Sequence, residues 1–192
     1  SITLNSLHGK GTITHVTIDK TAMRTSPELN KPLPNVTYEV KTNSGHVTYN
    51  TDSHGRTVKV VASDINLFDG NRSNSIQGSV GKASTSEMLK HLTNTLNPFK
   101  ADGGHLIARQ FGGIPERINT VGMERTFNRG GIPESYKSFE TDLRKTILDN
   151  PDKRVKVELD IDYDGDLGTP STIRAQVISE TTKAYSYNRL NY

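Results

Sequence analysis

The sequence predicts an α+β domain in which an antiparallel β-sheet packs against two main helices. Apolar and polar side chains alternate in residues 36–62 and again in 155–177, which is the pattern of half-buried strands. Apolar side chains spaced by three or four positions in 84–97 and 133–148 predict the two helices. With 192 residues, the chain is long enough for one domain with a core of its own.

The first 35 residues are predicted to be an N-terminal arm or linker, which leaves 36–192 as the main domain. This segment is polar and carries several prolines near its end. Within it, Thr12–Ile18 is rich in β-branched residues, so we expect one short strand there.

A β-meander is expected next. Its strands are Val36–Val40, His46–Tyr49 and Thr57–Val61, each with alternating side chains. The intervening turns are Asn43–Gly45 and Asp52–Gly55, which are rich in residues that favour turns.

The first main helix is predicted to follow a loop at 63–82. Ser84 is the expected N-cap, because Glu87 lies three residues later, in the capping-box arrangement. Asn97-Pro98 would end the helix. Its apolar stripe would consist of Met88, Leu89, Leu92 and Leu96.

The second main helix is predicted from about Pro133 to Leu148, since proline suits a first helical turn. Its apolar face would consist of Tyr136, Phe139, Leu143 and Ile147. After it, Val155–Tyr163 alternates as a half-buried strand, Asp164–Asp166 turns, and Ile173–Val177 is the expected partner strand.

Composition bounds the function. The net charge of +3 mildly favours an anionic partner such as nucleic acid. The absence of cysteine excludes disulfides and thiolate zinc sites. No apolar run approaches the roughly 20 residues that span a bilayer, so we expect no membrane span in this chain.

One short segment carries most of the chemical information. Asp102-Gly103-Gly104 reads as a flexible acidic turn, and His105 follows it at the start of an apolar run. A neutral imidazole, with a pKa ordinarily near 6.5, can take a proton from water. An amide oxygen such as that of Asn128 can bind a hard divalent ion. Phosphodiester hydrolysis needs both functions.

These residues resemble the DNA/RNA non-specific endonuclease family, one of the ββα-metal (His-Me finger) nucleases. The resemblance implies a ββα-metal core at about 102–149, with His105 as the general base. It also implies that Asn119 organises the site, that Asn128 binds a single Mg²⁺ (or Mn²⁺), and that Glu140 holds metal-bound water. The implied activity is metal-dependent, non-specific cleavage of DNA or RNA.

Two departures from the family pattern concern this site. Gly103 stands where the family signature has an arginine, so the phosphate contact is expected from Arg109, Arg125 and Arg129 instead. Residues 131–134 are extra between the metal-binding turn and Glu140.

A bacterial branch of the family resembles this chain more closely. The resemblance extends over about residues 36–160 and includes Gly104–Gly113 and the meander motif Tyr49–Arg56. It implies the toxic C-terminal domain of a larger secreted bacterial protein, which acts in the target cytoplasm and is neutralised by an immunity protein. The alternatives are a non-catalytic β-rich binding module of a secreted protein and a sequence-specific homing-type nuclease with the same metal fold.

Overall fold

The structure, a computed structural model, describes residues 2–8, 12–68, 74–92, 99–152, 154–179 and 182–192. The strands are β1 (Ile2–His8), β2 (Thr12–Asp19), β3 (Thr37–Lys41), β4 (His46–Thr51), β5 (Thr57–Ser63), β6 (Ala101–His105), β7 (Thr120–Glu124), β8 (Val155–Tyr163), β9 (Pro170–Ser179) and β10 (Thr182–Leu190). The α-helices are α1 (Pro27–Asn30), α2 (Asn74–His91), α3 (Arg125–Arg129) and α4 (Tyr136–Asp149), and 3₁₀ turns form at Arg109–Phe111 and Arg117–Asn119.

The fold is α+β, as predicted. Eight strands form one sheet in the order β1-β2-β3-β4-β5-β8-β9-β10, and β6 and β7 form a separate antiparallel pair. All neighbours in the large sheet are antiparallel except β2 and β3. The meander and the C-terminal hairpin are therefore confirmed.

The segment before residue 36 contributes to the large sheet. The predicted strand at Thr12–Ile18 is confirmed as β2, which pairs in parallel with β3. Val16 and Ile18 are buried in the core. The predicted arm therefore includes two strands of the main sheet, β1 and β2, and the boundary at residue 35 stays a prediction.

The start of the first main helix was wrongly predicted. Helix α2 begins at Asn74, so part of the predicted loop is helical. Ser84 lies inside the helix, where its hydroxyl is 2.7 Å from that of Thr169. The Glu87 carboxylate accepts from the backbone N–H groups of Gly168 and Thr169. Ser84 and Glu87, whose spacing predicted a capping box, therefore contact the β8–β9 connection. The predicted helix end at Asn97-Pro98 lies outside the described residues.

The second main helix matches its predicted apolar face but starts slightly later. Helix α4 begins at Tyr136, and the Ser135 hydroxyl caps it by accepting from the Ser138 N–H. Its four predicted core side chains are all buried: Tyr136, Phe139, Leu143 and Ile147. They pack in one core with the large sheet and β7. None of the helices in the described ranges is long and apolar enough to cross a bilayer.

The acidic segment before His105 is a strand, which corrects the prediction of a flexible turn. Asp102, Gly103 and Gly104 belong to β6 and pair with β7. A Cβ at Gly103 would lie 2.1 Å from the carbonyl oxygen of Gln77 in α2. The glycine therefore allows close helix–strand packing. The side chain that the family signature carries has no room at this position.

Candidate active site

Five of the predicted site residues line a single cleft of about 260 Å³. They are His105, Arg109, Asn128, Arg129 and Glu140. Asn119 and Arg125 lie outside its lining. The cleft is formed where the end of β6 meets α3 and the first turns of α4, which is the ββα arrangement predicted for residues 102–149.

His105 ends strand β6, and the backbone around it is fixed from two sides. Its strand partner is Thr120 at the start of β7. The next residue, Leu106, donates its N–H to the Asn119 carbonyl at 2.8 Å and accepts a hydrogen bond from the Tyr136 hydroxyl. His105 is buried, with a relative exposure of 8%. Strand, turn and helix thus position the predicted base together.

Asn119 is fully buried, and its side chain makes four hydrogen bonds. Its oxygen accepts from the Tyr49 hydroxyl and the Ile107 N–H, both at 3.0 Å. Its amide donates to the carbonyls of Ile107 at 2.9 Å and Ile114 at 2.8 Å. Asn119 therefore fixes the loop that follows His105 and does not itself face the cleft.

Asn128 is oriented by Asp102, a residue to which no sequence motif assigns a role in the site. The Asn128 amide nitrogen donates to Asp102 Oδ2 at 3.0 Å. On its other side, Asn128 Oδ1 faces Gly104, where an added Cβ would approach it to 2.9 Å. The amide therefore presents its oxygen to the cleft, and glycine at 104 leaves space beside that oxygen.

The Asp102 carboxylate also accepts two hydrogen bonds from Arg129, at 2.7 and 2.8 Å. Burial alone would raise the pKa of Asp102, but the hydrogen bonds from Arg129 and Asn128 and the charges of Arg129 and Arg125 outweigh it. The pKa of this carboxyl group is therefore below its usual value. It stays ionised at any pH at which an imidazole can be a base.

The oxygen donors of the cleft fit a hard divalent ion with few protein ligands. Among the described residues, no group of three or more histidine, cysteine, aspartate or glutamate side chains could hold a metal. Asn128 Oδ1 and the half-buried Glu140 carboxylate both border the cleft. Mg²⁺ keeps several water ligands and needs only one or two protein oxygens, so these residues suit it.

The three predicted phosphate-binding arginines differ in their surroundings. Arg109 is buried, with a relative exposure of 9%, and borders the cleft from a 3₁₀ turn. Arg129 is 62% exposed while bound to Asp102. Arg125 is 47% exposed, and its Nε lies 3.4 Å from Asp102 Oδ1, facing a neighbouring groove.

Two residues that line the cleft, Gln77 and Lys137, were not among the predicted site residues. Lys137 lies on α4 three residues before Glu140, a helical spacing that places both side chains on one face. That spacing was a usable signal. Gln77 comes from α2, where its side chain donates to the Gly103 carbonyl at 3.1 Å. Nothing local in the sequence connects it to the site.

A buried ion pair joins the N-terminal segment to the loop that precedes Asn119. Lys20 Nζ lies 2.7 Å from Glu116 Oε1, and the two side chains are 4% and 1% exposed. Burial raises the pKa of Glu116, and the hydrogen bond and charge of Lys20 offset part of that rise. Lys20 directly follows β2, so the segment predicted as an arm reaches the surroundings of the site.

The meander motif Tyr49–Arg56 has a structural function. Asp52 accepts from the backbone and side chain of Arg56. The Arg56 guanidinium donates to the carbonyls of Gly165 and Leu167 and stacks 4.5 Å from the centre of the Tyr163 ring. This motif ties the β4–β5 turn to the β8–β9 connection.

Comparison with known proteins adds a family match. The sequence profile described as DNA/RNA non-specific endonuclease matches residues 34–181. The Type VII secretion system protein EssD of Staphylococcus aureus (strain USA300) is 31% identical over 141 residues, which cover 72% of this chain. The chain spans about 20% of the length of that curated relative.

Solved structures share the fold at low sequence identity. NucA from Streptococcus agalactiae with magnesium ion bound aligns with a TM-score of 0.58 at 18% identity, covering 77% of this chain and 70% of NucA. Sda1 nuclease with bound zinc ion aligns with a TM-score of 0.54 at 18% identity, covering 77% of both chains. Both similarities concern the fold alone.

Proposed function

Because this chain belongs to the DNA/RNA non-specific endonuclease family, we propose that it hydrolyses phosphodiester bonds of DNA or RNA in the cleft between His105 and Asn128. One observation carries the proposal. An imidazole, an oriented amide oxygen, a carboxylate and two guanidinium groups line the same cleft of about 260 Å³. These are the groups that water activation and phosphate binding require.

His105 is the general base. It takes a proton from a water molecule, whose oxygen attacks phosphorus in line with the leaving oxygen. The new P–O bond forms as the P–O3′ bond breaks, and the leaving oxygen takes a proton from solvent. The hydrogen-bonded backbone around His105 keeps the imidazole in place for each turnover.

Asn128 and Glu140 would hold a divalent ion, Mg²⁺ or Mn²⁺, with Glu140 reaching it through water. When bound, that ion would supply positive charge that stabilises the charge developing on the phosphate and on the leaving oxygen. Asp102 keeps the Asn128 oxygen directed into the cleft. Asn119 is a positioning residue, since it fixes the backbone after His105 without reaching the cleft.

Arg109 and Arg129 bind the non-bridging phosphate oxygens, and Arg125 binds a neighbouring phosphate. Guanidinium groups suit this task because their paired N–H groups match phosphate geometry. Contacts of this kind are made to the backbone and not to the bases. Sequence preference should therefore be weak.

Supercoiled plasmid, incubated with Mg²⁺ and separately with EDTA, tests the activity. We expect nicking followed by a smear with Mg²⁺ and intact plasmid with EDTA. Discrete fragments would instead indicate a sequence-specific nuclease. A histidine base becomes neutral between about pH 6 and about pH 9. If the plasmid is not nicked at any pH in this range, the non-catalytic binding module is the better interpretation.

We further propose that the domain is the toxic C-terminal part of a larger secreted bacterial protein that acts in the cytoplasm of a target cell. The similarity to a protein named for a secretion system, over about 20% of that protein's length, supports this. A toxin of this kind also requires an immunity protein in the producing cell.

Induced expression in a bacterial cytoplasm should stop growth and degrade DNA, and the His105→Ala variant should do neither. Growth that continues with active, soluble enzyme would contradict the toxin role.

A further inference from the structure

A second, larger groove adjoins the active-site cleft. It has a volume of about 740 Å³ and lies between helix α2 and strand β6. Gln77 and Asn128 border both spaces, so the groove lies directly beside the cleft. The groove is therefore positioned next to any strand that the cleft binds.

The charged side chains of this groove favour a polyanion. Lys82, Lys100 and Arg125 line it, and all three are exposed. Among the described residues that line it, Asp102 supplies the one carboxylate. That carboxylate is already bound by Asn128, Arg129 and Arg125. The groove thus carries a net positive charge close to the cleft.

The face of α2 that lines the groove carries little side-chain volume, because two of its residues are glycines. Gly78, Gly81, Lys82 and Thr85 recur at the helical spacing that places them on one side of α2. Gly81 allows α2 to approach β6, since a Cβ there would lie 2.9 Å from the Gly103 nitrogen. At Gly78 a Cβ would meet nothing within 4 Å. The space beside the helix is therefore open to a ligand.

We propose that this groove is a binding site for the nucleic-acid strand flanking the scissile phosphate, with Lys82, Lys100 and Arg125 contacting successive phosphates. The inference rests on the proposed nuclease function and extends it. It makes affinity for long substrates depend on residues that take no part in the chemistry. Because the contacts are to phosphates, they add affinity without sequence preference.

The double variant Lys82→Gln/Lys100→Gln tests the groove. Two substrates are compared: a single-stranded DNA oligonucleotide that extends beyond the cleft, and bis(p-nitrophenyl) phosphate, which fills only the cleft. We expect KM for the oligonucleotide to rise several-fold, with kcat and the rate on the small substrate unchanged. The control Lys59→Gln/Lys156→Gln removes two half-exposed lysines from β5 and β8 and should change neither.

Salt dependence gives a second readout that does not need cleavage. Anisotropy of a labelled oligonucleotide without metal should give a slope of log affinity against log salt that is shallower by about 1.4 in the double variant than in the wild type. An unchanged slope together with an unchanged KM would overturn the proposal. If the wild-type protein cleaves neither substrate, the nuclease function fails, and the anisotropy slope alone decides on the groove.

Gly78→Leu tests the same groove by filling it. A leucine has room at this helical position, so the fold should tolerate it. We expect a higher KM for the oligonucleotide and an unchanged rate on the small phosphodiester. Equal KM values for Gly78→Leu and the smaller Gly78→Ala variant would count against a strand in the groove.

Discussion

Asp102 accepts a hydrogen bond from the Asn128 side chain at 3.0 Å, across 26 residues of sequence. This hydrogen bond fixes the orientation of the Asn128 amide. Its nitrogen faces Asp102, and its oxygen faces the cleft. The same carboxylate binds Arg129 through both of its oxygens. One acidic residue thus orients both the predicted metal ligand and a predicted phosphate-binding cation.

Removing Asp102 should therefore weaken metal binding without removing any ligand. In Asp102→Ala, the Asn128 amide is free to rotate, and residues that orient ligands typically contribute about 10- to 100-fold in metal affinity. We expect the Mg²⁺ concentration for half-maximal cleavage to rise within that range. Asp166→Ala, which removes an exposed carboxylate at the β8–β9 turn, is the control. Matching Mg²⁺ titrations for wild type and Asp102→Ala would contradict this role.

The ionisation of Asp102 should also appear in stability against pH. Its pKa is lower in the folded chain than in the unfolded chain, so its contribution to the free energy of unfolding is full above about pH 4. The contribution is lost as the pH falls through the folded value. Urea unfolding of wild type and Asp102→Asn should therefore give a difference that is constant near neutral pH and shrinks in acid. A difference that grows in acid would contradict the assigned direction.

His105→Ala should abolish cleavage while leaving affinity for nucleic acid nearly unchanged. A general base contributes about 10²- to 10⁴-fold to the rate, and the phosphate contacts come from other residues. Plasmid nicking rates and metal-free oligonucleotide binding measure the two effects separately. The control is His46→Ala, an exposed histidine at the start of β4. A His105→Ala enzyme with near-normal turnover would mean that another group is the base.

The four hydrogen bonds of Asn119 predict a large effect on both stability and turnover. Asn119→Ala leaves the N–H of Ile107 and the carbonyls of Ile107 and Ile114 without their partner, at about 1–3 kcal/mol for each buried group. Tyr49→Phe removes a single one of the four bonds and should cost about 1 kcal/mol. Thermal unfolding and kcat should both order the proteins as wild type, Tyr49→Phe, Asn119→Ala. An Asn119→Ala protein as stable as Tyr49→Phe would contradict this account.

Restoring the signature arginine should damage the protein. In Gly103→Arg, the Cβ would overlap the Gln77 carbonyl oxygen, and backbone cannot move aside as a flexible side chain can. We expect destabilisation of at least about 2 kcal/mol and loss of activity. Gly78→Ala is the matched control, since it has room on the same pair of elements and should stabilise the helix by about 0.5–1 kcal/mol. Unfolding in urea measures both, and a Gly103→Arg protein with wild-type stability would refute the packing argument.

The sequence predicts the sheet and the buried face of α4 because alternation and helical spacing are local signals. Val36–Val40 and the stripe from Tyr136 to Ile147 carry their own periodicity, and the structure bears them out. Helix α2 is different. Its residues 74–82 are rich in glycine and serine, and their helical state depends on contact with β6, which no local pattern records.

In the candidate site, too, local motifs predict some residues, whereas the roles of others depend on tertiary contacts. His105, Asn128 and Glu140 were located by a motif, and the structure gathers them in one cleft. The role of Asp102 could not be read in advance, because it follows from a partner 26 residues away. Ser84 and Glu87 fit a capping box by spacing, yet their partners are in the β8–β9 connection. Spacing alone does not distinguish a local hydrogen bond from a tertiary one.

The order of strands in the large sheet has a consequence for how the chain folds. Strands β5 and β8 are hydrogen-bonded neighbours, although all the residues of the candidate site lie between them in sequence. The hairpins on either side can form early because their contacts are local, whereas joining β5 to β8 must first close a long loop. We therefore expect catalytic competence to be gained late in refolding, after most of the β-structure has formed. The chain between β5 and β8 leaves the large sheet from one strand and returns to it at the neighbouring strand. A short hairpin turn could therefore replace this segment without changing the order of the strands.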